Sequence, residues 1–313
     1  MRVLVTGIRG KVGHVAATCL AARGHDVRGC DVGPPVFETP VAGEVPYVRA
    51  DLTDAGSAYA LVRDVDAVVH AAAIPSSAND VPHHVFSNNL MATFNVVEAA
   101  VRGGVRRLVN VSSETVPGMI FAERPFEAAY CPVDEDHPAL PQDPYALAKL
   151  FGEQLCDAAV RRSELTAVSV RPSWVQWEGN YERNAGPYLR DPDLDSVTFW
   201  SYVDAYDLAE LIAAAVESDT PGHEVVYAAQ PDNLGGRDLA AAMARHHPDV
   251  PLRALERPDA GGISIARARR LFGWRPARSW HDYLRPDGSA LLTAGTALPT
   301  WPGPVDGTGR DGS

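Results

Sequence analysis

Short unbroken apolar runs recur along the first half of the chain, and between them apolar positions fall three or four residues apart. Val3, Leu4 and Val5 form the first run, continuous as a strand buried on both faces should be. Further strands are predicted at 26–31, 47–50, 66–70, 107–111 and 165–170. Helical spacing is clearest over 89–100, where Leu90, Phe94, Val97 and Val101 share a side. Helices are also predicted over 12–23, in the stretch opened by Asp143 and Pro144, and after 201–207 through Val216. Asp143 suits an N-cap and Pro144 the first helical position. Strands alternating with helices predict an α/β fold, a doubly wound parallel sheet. Beyond Pro172 the regularity is lost, and no internal repeat is present. The expected division is a unit over 1–172, to which 203–230 returns, and a small C-terminal α/β part over 173–290. The Gly/Pro/Thr-rich end, 291–313, reads as a mobile tail. The connection 117–143 is polar, Pro-rich and too long for an ordinary crossover, which marks an insertion on the substrate side.

The first strand runs into Thr6 and Gly7, with Gly10 and Gly13 following at three-residue intervals. Glycines here permit a tight turn, let backbone approach a ligand, and let the next helix pack close on its strand. The amides opening that helix would point at a pyrophosphate. The turn therefore suggests a Rossmann-type dinucleotide site, although glycine-rich turns also occur as plain connections. Asp31 ends the second strand about twenty residues on, where a carboxylate accepts hydrogen bonds from both ribose hydroxyls; a plain loop carboxylate is the alternative. That carboxylate would repel a 2′-phosphate, so NAD is expected over NADP. Arg9 and Lys11 are the counter-argument, since together they could hold a phosphate.

Composition narrows the field. The chain has 313 residues, is 46% apolar and carries a formal net charge of −12. A proper core is affordable, and a nucleic-acid partner is not expected. No apolar stretch approaches a membrane span, and Met1 runs straight into a strand pattern without a secretion signal. Cys19, Cys30, Cys131 and Cys156 are scattered, as buried thiols of a reducing cytoplasm rather than a disulfide or metal framework. Metal is not expected. Lys11 and Lys149 are the only lysines, every other basic residue being Arg. A Lys in such a chain hints that the ammonium itself matters, with chance as the bland alternative.

Lys149 lies four residues after Tyr145, on one helix face. A free Tyr titrates near ~10 and is a poor base at neutral pH. A nearby ammonium favours the phenolate; bringing it to about 7 takes roughly 4 kcal/mol of differential stabilisation. Ser113, at the end of the neighbouring strand, could hold the substrate oxygen that gains or loses a proton.

These motifs, in this order, resemble the extended short-chain dehydrogenases/reductases, the epimerase/dehydratase family. The likeness runs from Thr6-Gly7-x-x-Gly10-x-x-Gly13 to the Ile263–Trp274 segment and includes Val203-Asp204. It implies Ser113, Tyr145 and Lys149 as catalytic residues. It implies cofactor contacts from Gly7, Arg9, Gly10, Lys11, Val12 and Gly13, then from Asp31 and the Asp51-Leu52 pair. Further contacts follow from the His70-Ala71-Ala72 turn, from Asn89 at the head of a helix with Ala92 in the family's Gly place, from Tyr145 and Lys149, and from Pro172. On the residues alone, Asp51 could equally cap a helix, and His70 reads as a structural hydrogen-bonding residue. Sugar-nucleotide dehydratases carry Thr-Asp-Glu where this chain has Ser113-Glu114-Thr115, so dehydration is disfavoured. The resemblance also implies a homodimer through the helices near Asn89 and Pro144, with Phe94, Val97, Leu147, Leu150 and Leu155 as candidate interface residues.

Pro172 and Val203 are about thirty residues apart, apparently half the span of nucleotide-sugar epimerases. Between them lie Trp174, Gln176, Trp177, Asn180, Tyr181, Arg183 and Asn184. Flat aromatics with a few polar groups suit a small hydroxylated ligand, and Arg183 or Arg190 could pair with a carboxylate or phosphate; packing of a small core is the alternative. Ser113, Glu114, Trp174, Trp177, Asn180 and Arg183 are the candidate substrate residues. Three functions are weighed: an NAD-dependent oxidoreductase of a small sugar, sugar acid or polyol, an NAD-dependent sugar epimerase, and a non-catalytic dinucleotide-binding regulator. The regulator ranks last, because both Tyr145 and Lys149 are kept, and the short Pro172–Val203 span favours the first over a nucleotide-sugar epimerase.

Overall fold

A computed structural model describes residues 1–33, 45–76, 78 and 80–291. Of the tail, 292–313 lies outside the described residues. The chain runs β1 (Arg2–Thr6), α1 (Lys11–Ala22), β2 (Asp26–Asp31), β3 (Tyr47–Arg49), α2 (Ala55–Leu61), β4 (Ala67–His70), α3 (Pro82–Arg102), β5 (Arg107–Val111), α4 (Pro144–Arg161) and β6 (Thr166–Pro172). There follow β7 (Val175–Gln176), α5 (Tyr181–Asn184), α6 (Gly186–Arg190), β8 (Val203–Asp204), α7 (Ala205–Glu217), β9 (His223–Ala228), α8 (Leu239–His246), α9 (Ala266–Phe272) and a 3₁₀ turn, Trp280–Asp282.

Seven strands make one parallel sheet in the order β3-β2-β1-β4-β5-β6-β9, a Rossmann-type α/β fold. Strand geometry explains the two cores. Successive side chains point to opposite faces. Val3 and Val5 therefore join α1 and α7 on one side, while Leu4 joins α2, α3 and α4 on the other. The strand order reverses between β1 and β4, so the crevice beyond their C-terminal ends is where a ligand is expected.

Predicted and observed elements differ mostly by a residue or two, the ordinary fraying of element ends. Helix α3 is the exception: it begins at Pro82, not 89. Its first turns carry only Val85 and Phe86 among His83, His84, Ser87 and Asn88, and the polar run hides the extension of the apolar stripe. β6 continues to Pro172 because it pairs with β9 as far as Pro172↔Ala228. The connection 117–143 is stitched to the C-terminal part through bridges at Cys131↔Leu252 and Val133↔Ile263. Near the end of the chain segment that follows β7, Phe199 and Trp200 are both left-handed, with φ 51° and 57°. Non-glycine residues rarely take that conformation; here the indole Nε1 of Trp200 holds it by donating to the Leu194 carbonyl at 2.9 Å. All four cysteines are buried and free. Among the described residues, no helix is long and apolar enough to cross a membrane.

Candidate active site

A cleft of about 1450 Å³ opens along the C-terminal ends of the strands. One end is the glycine turn. Gly7 has φ +67°, and a Cβ there would lie 2.7 Å from the Ala72 backbone. A Cβ on Gly13 would lie 2.2 Å from the Gly7 carbonyl oxygen. Only glycine lets α1 start this close to β1, and the residues of its first turn line the cleft, where the amides that open a helix suit a diphosphate. Gly7, Arg9, Gly10, Lys11, Val12 and Gly13 all line the wall.

Asp31 lines it too, but its carboxylate also braces the turn. Oδ2 accepts from the Arg9 amide at 3.0 Å and Oδ1 from the Gly33 amide at 3.1 Å. The Arg9 guanidinium folds against the same corner; a Cβ on Gly33 would come within 2.5 Å of its Nη1. Lys11 turns the other way, its ammonium 4.2 Å from the Trp177 ring centroid. Asp51 and Leu52 are on the wall, with Asp51 Oδ1 accepting from Thr53. The helix cap is instead Asp54, which accepts from the Ser57 amide at 2.7 Å. Ala71 and Ala72 also line the cleft, their small side chains leaving the β4 end open.

Two residues expected to touch the cofactor stand behind the wall. His70 is buried between the Thr6 and Thr93 hydroxyls at 2.9 and 3.0 Å, and burial holds it neutral with a pKa of about 3. Asn89 is buried and grips Ile74, donating to its carbonyl at 3.0 Å and accepting from its amide at 2.8 Å. Each positions cleft-lining backbone; Asn88 takes the place on the wall.

The proposed catalytic residues meet on the wall at the ends of β5 and β6. Asp143 caps α4, accepting from the amides of Tyr145 at 2.9 Å and Ala146 at 3.1 Å. Lys149 then stands one turn beyond Tyr145, 5.6 Å from its ring centroid, and donates to the Val111 carbonyl at 2.7 Å. The Ser113 hydroxyl oxygen accepts from the Thr115 amide and hydroxyl at 3.1 and 2.9 Å, which directs its own proton elsewhere. The expectation of a lowered Tyr145 pKa is reversed in the protein by itself: burial pushes the phenol up to about 12, and the Ser113 hydrogen bond only partly offsets it. Burial also lowers Lys149 to about 8, with Glu153 opposing. The ammonium therefore remains mainly charged at neutral pH.

Glu153 is a positioning residue that sequence reading missed. It holds Arg171 in a buried two-point ion pair, both distances 2.8 Å, and accepts from Ser112 at 2.6 Å. This ties α4 to the ends of β5 and β6, beside all three proposed catalytic residues. The detectable signal was Tyr145, Lys149 and Glu153 at successive four-residue steps on one helix face.

At the far end, Glu114, Pro172, Trp174, Asn180 and Arg183 line the cleft. Trp177 does not: it is buried beneath Lys11 and holds the glycine turn against the chain beyond β7. The indole had surface to bury, and the core claimed it. Sequence reading also missed Ile120 and Phe121 from the 117–143 connection, Tyr188 from α6, and the 195–198 stretch, all on this wall. No local spacing connects them. Among the described residues, no group of three or more His, Cys, Asp or Glu side chains could hold a metal ion.

The glycine cradle, which a single Cβ would fill, and the Asp31 carboxylate fit a dinucleotide. Comparison with known proteins agrees. Residues 3–228 match the NAD dependent epimerase/dehydratase family. A uronate dehydrogenase of Pseudomonas putida is 26% identical over 229 residues, 73% of this chain and 76% of that protein. A 3-diazoavenalumate denitrifying reductase from a Streptomyces species is 30% identical across 99% of this chain and 100% of its own. In fold, the chain resembles a short-chain dehydrogenase/reductase superfamily protein of Agrobacterium tumefaciens solved with bound NAD. That likeness has a TM-score of 0.68 at 24% identity, covering 90% of this chain and 94% of that one. A match of this extent, on a sheet and glycine cradle of this kind, makes the chain an enzyme of the NAD dependent epimerase/dehydratase family, with NAD as its cofactor.

Proposed function

We propose that the protein interconverts a secondary alcohol and its ketone on a small sugar, sugar acid or polyol, in net redox turnover. The observation that carries this reading is the meeting of Ser113, Tyr145 and Lys149 on one wall of the NAD cleft. NAD, when bound, supplies or accepts the hydride. With substrate bound, Ser113 turns its one hydroxyl proton to the substrate oxygen in a hydrogen bond and fixes its place. Tyr145 takes or returns the proton of that oxygen. Its high pKa in the protein alone suits it to hold a proton until positive charge enters the cleft. Lys149 supplies part of that charge, and its remaining protons suit a ribose hydroxyl.

Cofactor binding is assigned to 1–172 with 203–230, and substrate binding to the 173–290 part together with Ile120 and Phe121. Net redox is supported by relatives named as a dehydrogenase and a reductase. Arg183 on the wall supports a substrate carboxylate. A panel of sugars and sugar acids, plus 3-diazoavenalumate, read by NADH absorbance and by NMR for epimers, tests this. Turnover of NAD with one of the sugars or sugar acids is expected; epimers without net NADH would replace the reading with the epimerase. Micromolar calorimetric binding of UDP, TDP or GDP would overturn the small-substrate part.

A homodimer through α3 and α4 completes the proposal. Met91 and Phe94 present apolar surface on α3, at 42% and 40% exposure, whereas Val97 points into the core and drops out of the interface. Light scattering at micromolar concentration should give a dimer, and Phe94→Glu should shift it towards monomer.

A further inference from the structure

Glu114 is the carboxyl next in sequence to Ser113 on a substrate wall that also carries Asp195, and nothing in the proton transfer above uses it. Its backbone amide donates to the Pro172 carbonyl at 3.1 Å, which fixes its place between the ends of β5 and β6. Its Oε2 accepts from the Ser173 hydroxyl at 2.6 Å. Among the described residues the carboxyl has no other hydrogen bond. Behind it lies a void of only about 10 Å³, walled by apolar side chains such as Met119, Val133 and Ile263 with Thr198 and Tyr227 as its polar members. This is roughly the room of one water, with only a hydroxyl or two to solvate a charge.

The titratable groups sharing this corner are Tyr145 from α4 and Tyr227 from β9. Neither cation at the ends of β5 and β6 pairs with Glu114: Lys149, which itself titrates near 8, donates to the Val111 carbonyl, and Arg171 is held by Glu153. Burial accordingly lifts Glu114 to about 8, so it carries its proton at neutral pH. With Oε2 accepting from Ser173, that proton sits on Oε1. Were Glu114 ionised, its charge would raise Tyr145 further and oppose the phenolate.

Resting on the small-alcohol reading above, we propose that Glu114 is a specificity-determining residue that donates its carboxyl O–H to a substrate oxygen one or two carbons from the reacting one. Ser113 and Glu114 are consecutive and both line the cleft, so their Cα atoms are ~3.8 Å apart. A substrate held at Ser113 by its reacting oxygen brings a neighbouring oxygen to Glu114. The preferred class is therefore a vicinal diol or α-hydroxy ketone rather than an isolated alcohol.

The test compares wild type, Glu114→Ala and Glu114→Gln, each with NAD bound. The probes are the most active sugar or sugar acid of the panel and its analogue lacking the neighbouring hydroxyl. Glu114→Ala should raise KM for the parent compound about tenfold, as loss of one buried hydrogen bond does, with little change in kcat or in KM for the deoxy analogue. Glu114→Gln keeps an N–H donor and should recover most of that loss at pH 7. The sign with pH follows from a raised carboxyl: the donor is present below about 8 and lost above it. Wild-type KM should therefore climb more steeply between pH 7 and 9 than that of Glu114→Gln, since Lys149 titrates near 8 in both and only the wild type also loses the Glu114 donor. Equal losses in Ala and Gln at every pH, or equal losses on parent and deoxy compounds, would reduce Glu114 to a structural brace and overturn the proposal. Carboxyl ¹³C NMR needs no substrate and separates this from failure of the functional reading. A resonance titrating near 8, present in wild type and absent from both variants, is expected even if nothing on the panel turns over; titration in the usual carboxylate range overturns the proposal.

Discussion

The two ends of the cleft are built on different physical terms. At the cofactor end, position is set by backbone against backbone. Gly13 faces the Gly7 carbonyl and Gly7 faces Ala72 at distances no Cβ could share. At the substrate end, position is set by side chains reaching across long sequence separations. The Arg237 guanidinium donates to the carbonyls of Tyr188, Asp191 and Leu234 at 2.9, 2.8 and 2.6 Å. His247 lies between Glu127 and Asp195, at 3.2 and 2.9 Å, and so ties the 117–143 connection to the 195–198 wall. Backbone contacts admit one solution; side-chain contacts admit many. The cofactor end is thus rigid in sequence as well as in space, while the substrate end can be rebuilt piece by piece on the same sheet.

The hardest test strikes where the two ends meet. Tyr145→Phe removes one hydroxyl and no packing, so fold and NAD affinity should stay as they are. Turnover should fall ~10²-fold or more, the scale of a lost general acid/base. Steady-state rates beside an NAD titration measure both; near-normal turnover would remove Tyr145 from the chemistry. Next in size is a single methyl at the rigid end. Gly13→Ala places Cβ 2.2 Å from a carbonyl oxygen that cannot move without β1. Overpacking of this kind costs about 1–3 kcal/mol. Lower Tm and weaker NAD binding should appear together, and a variant with both unchanged would refute the backbone argument.

The same division explains what could be read from the chain. The glycine turn, Asp31, and the pairing of Tyr145 with Lys149 are local: each is a fixed spacing on one strand end or one helix, and spacing is visible in sequence. Asn89 was visible as a residue but not as a direction, and His70 read as structural without showing its partners. Their polar side chains turn inward to Thr6, Thr93 and Ile74, partners that only folding brings near. Trp177 shows the same limit from the apolar side. Aromatic character alone does not say whether a ring faces ligand or core, and here Lys11 caps it. The substrate wall was least legible, because Phe121, Tyr188 and Val197 come from three segments with no shared period.

Cofactor choice probes the corner where Asp31 and Arg9 compete. Asp31 suits a ribose with free hydroxyls and opposes a 2′-phosphate, yet the Arg9 guanidinium already lies beside Gly33 at the same corner. Wild type should bind NAD more tightly than NADP. Asp31→Ser should narrow the ratio of the two dissociation constants by about tenfold, since a hydrogen bond to a charged group is worth roughly 1.5–3 kcal/mol. A ratio unmoved by the substitution would assign Asp31 to bracing the turn alone.

The smallest effect belongs to the adaptable end. Trp174 is 36% exposed, lines the cleft, and meets Tyr188 edge-on at 6.4 Å between ring centroids. Its carbonyl accepts the Val203 amide at 3.1 Å, a contact at the start of the β7–β8 pair that truncation of the side chain leaves in place. Trp174→Ala therefore removes a piece of wall without removing its support. An aromatic contact of this kind is worth about 0.5–1.5 kcal/mol beyond its area, so KM for the sugar substrate should rise a few-fold, with kcat and NAD affinity nearly unchanged. The comparison of the two ends turns on that separation. If NAD affinity fell with sugar affinity in this variant, the wall would be coupled to the glycine cradle through Trp177 and Lys11. The two ends would then be one mechanical unit.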